Sequence, residues 1–220
     1  MTTALLQTTY FGPIQWYQKL CRYDQSIIEQ YDSYQKQTYR NRCIIATANG
    51  LQALTVPVEH SDDKTTVKDL RISDHNQWRR IHWNALQSAY SESPFFDYYA
   101  DDIRPFFEKK YEFLIDFNEA IRQTMCELID IHPHVSYTCS FLSPSSADKS
   151  PSSLLPPLSS QISDFREVIH AKHPLPDPDF EATPYWQVFQ HKYGFLPNLS
   201  ILDLLFCMGP ESIFYCHKKT

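Results

Sequence analysis

Apolar positions along this chain recur with a period of two in some stretches and with a helical period in others, and each change of period marks an element. Residues 4–10 read as a first strand, after which Gly12-Pro13 starts a helix with Pro at its first position and Ile14, Tyr17, Leu20 and Cys21 on one face. A second strand is expected over 26–31. In NRCIIATANGLQALTVPV, Asn49-Gly50 stands between two apolar runs, the strongest short signal for a hairpin with a type I′ turn, so strands near 42–48 and 51–58 should pair. Another strand is predicted at 67–72. Asp74 followed by Gln77 resembles a capping box that opens a helix carrying Trp78, Ile81, His82, Ala85, Leu86 and Ala89 at helical spacing.

Ser93-Pro94 begins a further helix, Pro105 restarts one, and up to about residue 130 a single stripe holds Phe113, Leu114, Phe117, Ile121, Met125 and Leu128. The pattern returns to a strand at 134–141. The stretch that follows, rich in Ser and Pro over about 142–163, holds no regular element for long and reads as an insertion or mobile loop. A second Pro-rich stretch, HPLPDPDFEATP, leads into a helix, a turn and a short buried helix. The fold class is therefore α/β: a mixed sheet of about five or six strands flanked by helices, with a helical C-terminal half, in one domain over residues 1–220.

Composition narrows the function. With 42% hydrophobic and 21% charged residues the chain builds a core, and its net charge of −6 gives no global attraction to nucleic acid or anionic lipid. No apolar run spans a membrane and the N-terminus lacks a basic segment before its apolar stretch, so a cytoplasmic location is expected. The six cysteines are scattered, several within apolar runs, and read as reduced thiols. None has the spacing of a zinc site, and the close pairs His132/His134 and His170/His173 lack a third ligand of fixed geometry, so no metal is assigned. Only four glycines occur, each at a predicted turn, which rules out a Gly-rich phosphate cradle.

Between Asp32 and Glu59 this acidic chain has no carboxylate, yet it presents Lys36, Arg40 and Arg42, interleaved with Tyr31, Tyr34, Tyr39, Gln35, Gln37 and Asn41. Such a mixture suits an anionic group held by charge-assisted bonds beneath an aromatic face; equally, these cations pair with carboxylates elsewhere on the chain. The turn at Gly12 places helix N-terminal amides near Gln15, Gln18, Lys19 and Arg22, a second place for an anion or else plain capping. His82 lies within an apolar stripe, either as a general acid or base beside a cleft or as a satisfied core residue. Ser200 and Asp203 suggest a nucleophile and acid, but Ser-Ile-Leu-Asp before an apolar run fits a capping-box variant better, with Gly209-Pro210 ending the helix. No nucleophile elbow precedes it.

Taken together, YFGPIQWYQKL, the NRCII hairpin ending in LTVPV, WRRIHWNALQSAYSESPFF and the C-terminal YWQVFQHKYGFLPNLSILDLLFCMGPES resemble the WbqC-like family over nearly the whole chain outside the Ser/Pro-rich insertion. Some members of that family lie in gene clusters for O-antigen synthesis, and a glycine-transferring role has been suggested for them. The family pattern falls on Tyr10, Pro13, Tyr17 and Lys19, on Asn41, Arg42, Val56, Pro57 and Val58, and on His82, Tyr90, Pro94 and Phe95. Many members carry a His-Gln-Pro-type segment before the first turn. This chain has Thr8-Thr9-Tyr10-Phe11-Gly12 there, so a catalytic histidine at that place would be missing.

Two functions stand as expectations. The resemblance implies a transferase, of glycine or another aminoacyl group, in surface polysaccharide biosynthesis. Its partner would be an anionic small molecule: a nucleotide sugar, a phosphate or an aminoacyl donor. Gly12, Gln15, Lys19, Lys36, Tyr39, Arg40, Asn41 and Arg42 would bind it and His82 would be the acid or base. The alternative is a non-catalytic binding or assembly module whose 14 Tyr, 14 Phe and 4 Trp recognise a protein or glycan through an aromatic surface. The sequence assigns no cofactor and no oligomeric state.

Overall fold

A computed structural model describes residues 1–59, 65–143 and 162–217. Among them are six strands: β1 (Thr3–Gln7), β2 (Gln25–Glu29), β3 (Arg42–Thr47), β4 (Gly50–Thr55), β5 (Val135–Tyr137) and β6 (Ile162–Asp164). The chain is α/β as its periodicity predicts, but the strands form two sheets: a parallel one in the order β5-β2-β1-β6, and an antiparallel β3-β4 hairpin. All five residues of β1 are buried, as befits the centre of a parallel sheet covered on both faces.

Thr3–Gln7 register with Gln25–Glu29, Thr3–Leu5 with Ile162–Asp164, and Ser26–Ile28 with Val135–Tyr137. Parallel pairing brings all four C-terminal strand ends to one edge. Numbered by appearance, the strands lie third, second, first, fourth, so the order reverses between β1 and β6. In open α/β sheets ligands bind outside the carboxyl ends of the strands at such a reversal.

Helix α1 (Ile14–Arg22) buries Trp16, Tyr17 and Leu20, and the Trp16 indole donates to the Gln7 carbonyl at 2.9 Å, fixing the helix to the end of β1. The hairpin forms where Asn49-Gly50 predicts it, with a different turn. Gly50 takes a φ of +102° while Asn49 stays out of the positive region, so a single glycine in a positive-φ conformation replaces the type I′ pair. Residues 67–72 do not form the predicted strand. Val67–Asp69 make a single 3₁₀ turn, because the Val67 and Lys68 amides donate to the carbonyls of Asp32 and Gln30, leaving only isolated bridges from Arg71 to Phe113 and from Ile72 to Val58.

Helix α2 (Trp78–Tyr90) occurs as predicted, although Asp74 does not cap it. Asp74 instead pairs with Arg79 and Lys110, and Gln77, with φ 48°, enters the helix without a side-chain cap. Three further helices follow: α3 (Phe96–Ile103), α4 (Pro105–Glu108) and α5 (Leu114–Leu128). On α5 the stripe Leu114, Phe117, Ile121 and Met125 is buried as its spacing predicts.

Of the Ser/Pro-rich insertion, 144–161 lie outside the described residues. Its expected end needs correction, because Ile162 and Ser163 belong to β6: hydrogen bonding to β1 outweighs the loop-like composition just before them. The C-terminal part holds α6 (Gln190–Tyr193), α7 (Ile201–Met208) and α8 (Ile213–Cys216). Helix α7 is buried on every side from Ile201 to Cys207, and Ser200 caps it by accepting from the Leu202 amide. Gly209 ends it with φ +56°, where a Cβ would lie 2.6 Å from the Phe95 ring.

Asp203 has no part in a capping box. Its buried carboxylate accepts from Tyr90 Oη at 2.8 Å, Tyr185 Oη at 2.6 Å and Gln187 Nε2 at 3.2 Å, joining α2, the segment before α6 and α7. Burial raises its pKa, against the pull of these three donors.

Candidate functional site

The turn at Gly12 is closed by the rest of the chain. An anion at the start of α1 would need free amides there, but the Ile14 N–H donates to the Leu199 carbonyl, Gln15 to Asn198 Oδ1 at 3.0 Å and Trp16 to the Pro13 carbonyl. The polar face of α1 is engaged in the same way. Gln15 Nε2 donates to Asp177 at 2.7 Å, and Lys19 Nζ, fully buried, lies 2.8 Å from the same carboxylate and 4.3 Å from the centre of the Phe165 ring. Gln18 reaches the carbonyls of Glu181 and Tyr215, and Arg22 that of Asp179. This face therefore clasps the Pro-rich segment 177–181 onto the helix. Burial draws the Lys19 ammonium below its ordinary range, and Asp177 opposes that shift.

The cations of 36–42 do not converge on one pocket. Arg40 is buried and paired with Asp32, while Arg42 is partly exposed and donates through Nε to Thr55 Oγ1 at 3.0 Å. Lys36 is exposed. Asn41 Nδ2 holds the Val56 carbonyl at 2.8 Å. Tyr39 is buried, its carbonyl accepts from the Tyr10 amide, and burial pushes its phenol up to about 12.

His82 stands in the core, 5% exposed, against Tyr10 and Trp78, with Nδ1 2.9 Å from Tyr10 Oη. Burial pushes its pKa down to about 4, so the ring is neutral near pH 7. In this position it is a satisfied core histidine.

At the C-terminal edge of the parallel sheet the polar residues do gather. Glu29, which ends β2, accepts from the Tyr31 amide at 2.8 Å, Thr138 Oγ1 at 2.9 Å and the Leu142 amide at 2.9 Å. Arg166, two residues beyond the end of β6, reaches Glu29 at 3.4 Å and grips Asp164 through Nε at 3.0 Å and Nη2 at 2.6 Å. Burial works against the Arg166 charge, but Asp164 and Glu29 outweigh it and raise the pKa. Charge on Asp32 acts on Arg166, and Arg166 acts on Arg40, so the two pairs belong to one patch. The half-exposed Phe141 ring lies 5.5 Å from the Arg166 guanidinium. Gln7, at the end of β1, is 2% exposed; its Nε2 donates to the Ile169 carbonyl, while its Oε1 has no partner among the described residues.

The neighbours Gln30 and Tyr137, turned the other way by strand alternation, line a cavity of about 430 Å³ together with Lys68, Phe113, Asp116 and Glu119. That volume lies within the range of small-molecule sites.

Of the residues singled out from the sequence, Arg40 and the backbone of Tyr31 stand in this patch. Glu29, Asp164, Arg166 and Gln7 were not anticipated. The available signal was slight: each lies at or just beyond the end of a short apolar run, and only strand pairing across more than a hundred residues shows that they meet.

The sequence pattern of the WbqC-like protein family matches residues 7–215. A relative from Mycobacterium tuberculosis, the uncharacterised protein Rv1507c, is 26% identical over an alignment covering 98% of each chain. No solved structure matches significantly. Among the described residues, no helix is long and apolar enough to cross a membrane.

Proposed function

The chain belongs to the WbqC-like protein family, and we propose that it is a small-molecule transferase of surface polysaccharide biosynthesis that binds an anionic donor at the C-terminal edge of its parallel sheet. One observation carries this reading: Arg166 is buried while the carboxylate it grips is not. The side chain of Arg166 is 5% exposed and that of Asp164 27% exposed, so solvent reaches the pair from the Asp164 side. A phosphate or carboxylate of the donor takes the place of Asp164 on the planar guanidinium fork, while the buried Glu29 keeps the arginine in position. Arg40 and Asp32 repeat the arrangement beside it, with exposures of 2% and 16%.

The place of the patch supports the same reading, because it lies at the reversal between β1 and β6. His82, neutral and enclosed by rings, has no part in this mechanism. The reading as an aromatic recognition module loses its main support, because the large exposed aromatics among the described residues are Tyr98, Phe141, Trp186 and Phe214, and the other rings are buried or only partly exposed.

Thermal-shift and calorimetric titration with nucleotide sugars and with a non-hydrolysable aminoacyl-adenylate analogue test the proposal. One of these raises the melting temperature of the wild-type chain by mass action. Arg166→Lys keeps the charge, loses the fork and binds that compound at least about tenfold more weakly. Equal binding by wild type and Arg166→Lys, or no shift with any of these anions, overturns it.

A further inference from the structure

We propose that the cavity between the end of β5 and the start of α5 is a second subsite, which takes a ring with an apolar face and an edge of hydrogen-bond donors. The inference goes beyond the transferase reading and does not rest on it: the binding stands on the cavity's own chemistry. Phe113, Ile115 and the Tyr137 ring supply apolar surface, and the Arg71 guanidinium lies 4.8 Å from the centre of the Phe113 ring. Around them the polar groups are mostly acceptors. Glu119 is held by Arg122, Tyr137 and Gln123; burial raises its carboxyl pKa, but these bonds outweigh it and keep the group ionised near neutrality. Asp69 accepts from Thr66 Oγ1, and among the described residues neither Asp69 nor Asp116 makes an ion pair.

Gln30 donates its amide N–H to the Thr138 carbonyl at 2.6 Å, which leaves its Oε1 as a further acceptor. Among the described residues Lys68 is the one cation of the lining, and its ammonium is drawn onto Tyr31, 3.3 Å from the hydroxyl and 5.1 Å from the ring centre. A cavity with three carboxylates, one amide oxygen and one lysine is complementary to hydroxyls or an ammonium, and its apolar floor to the C–H face of a ring. Its volume of about 430 Å³ accommodates one such ring.

Saturation-transfer NMR on the full chain, with glucose, glucosamine and cyclohexylamine at about 10 mM, reads binding in the millimolar range. Glucose and glucosamine binding without cyclohexylamine identifies hydroxyls as the recognised donors; glucosamine and cyclohexylamine binding without glucose identifies the ammonium. In either case, and equally if all three bind, Asp116→Asn on the surface of α5 weakens the signal at least fivefold. The anion titration with wild type and Arg166→Lys is a separate measurement, so failure here is distinguishable from failure of the anion site. No binding by any probe, or binding that survives Asp116→Asn undiminished, overturns the proposal.

Discussion

Two Asp-containing ion pairs in this molecule look alike in distance and differ in who can reach them. Lys19 and Asp177 are both closed to solvent, with side-chain exposures of 0% and 3%, and Gln15 donates to the same carboxylate. Arg166 is equally deep, but its partner Asp164 is 27% exposed and Glu29 supports the guanidinium from behind. In the first pair both charges are shut in and every group that holds them belongs to the chain itself, which makes it a fastening between α1 and the Pro-rich segment. In the second the cation has two partners and one of them is replaceable, which is the arrangement expected of a site that exchanges an internal carboxylate for a ligand.

Removal of the acid affects the two pairs differently. Asp177→Ala leaves a buried, unpaired ammonium and should destabilise the fold by about 3–5 kcal/mol, read as a lowered urea midpoint. A loss below about 1 kcal/mol would mean that the clasp is wet and the contrast false.

An intermediate effect tests whether closed regions tolerate new charge. His82 binds its proton with a pKa of about 4 in the folded state against 6.5 ordinarily, so between those values the unfolded chain takes up the proton first. Stability contributed by the neutral ring is present above about pH 6.5 and is lost as the pH falls through 4, by up to about 3 kcal/mol. Urea midpoints measured from pH 7 to pH 4 should fall more steeply for wild type than for His82→Gln; parallel curves would sink the assignment.

The smallest effect belongs to the open pair. Asp164→Ala should cost only about 1 kcal/mol, because Glu29 still neutralises Arg166. The same variant should bind the anionic donor more tightly in calorimetry, since Asp164 no longer occupies Nε and Nη2 of the fork; weaker binding would show that Asp164 contacts the ligand directly.

What the sequence revealed and what it hid follow from the range of the interactions. The hairpin at Asn49-Gly50, the apolar stripe of α5 and the cap at Ser200 are set within a few residues, and each appears where its pattern puts it. The apolar positions of VKDLRI look like a strand, yet the amides of Val67 and Lys68 find the carbonyls past β2 and bend the chain into a turn. β6 is three residues long, and its pairing with β1, not its own composition, makes it a strand. The cations of 36–42 were recognised as unusual, but their partners were not: Asp32 lies eight positions before Arg40, and Asp164 and Arg166 join the same patch from the far side of the sheet. Charge density is readable in one dimension; whether a charge is answered from within is not.

The pairing of Thr3 with Ile162 has a consequence for the chain as it is made. β1 leaves the ribosome well before β6, its neighbour on one flank, which follows more than 150 residues later. Until then that flank shows unpaired backbone groups and apolar side chains to any passing strand, the setting in which slow, long-range folding and wrong pairing compete. Shielding of that flank until β6 arrives is therefore a requirement of this topology.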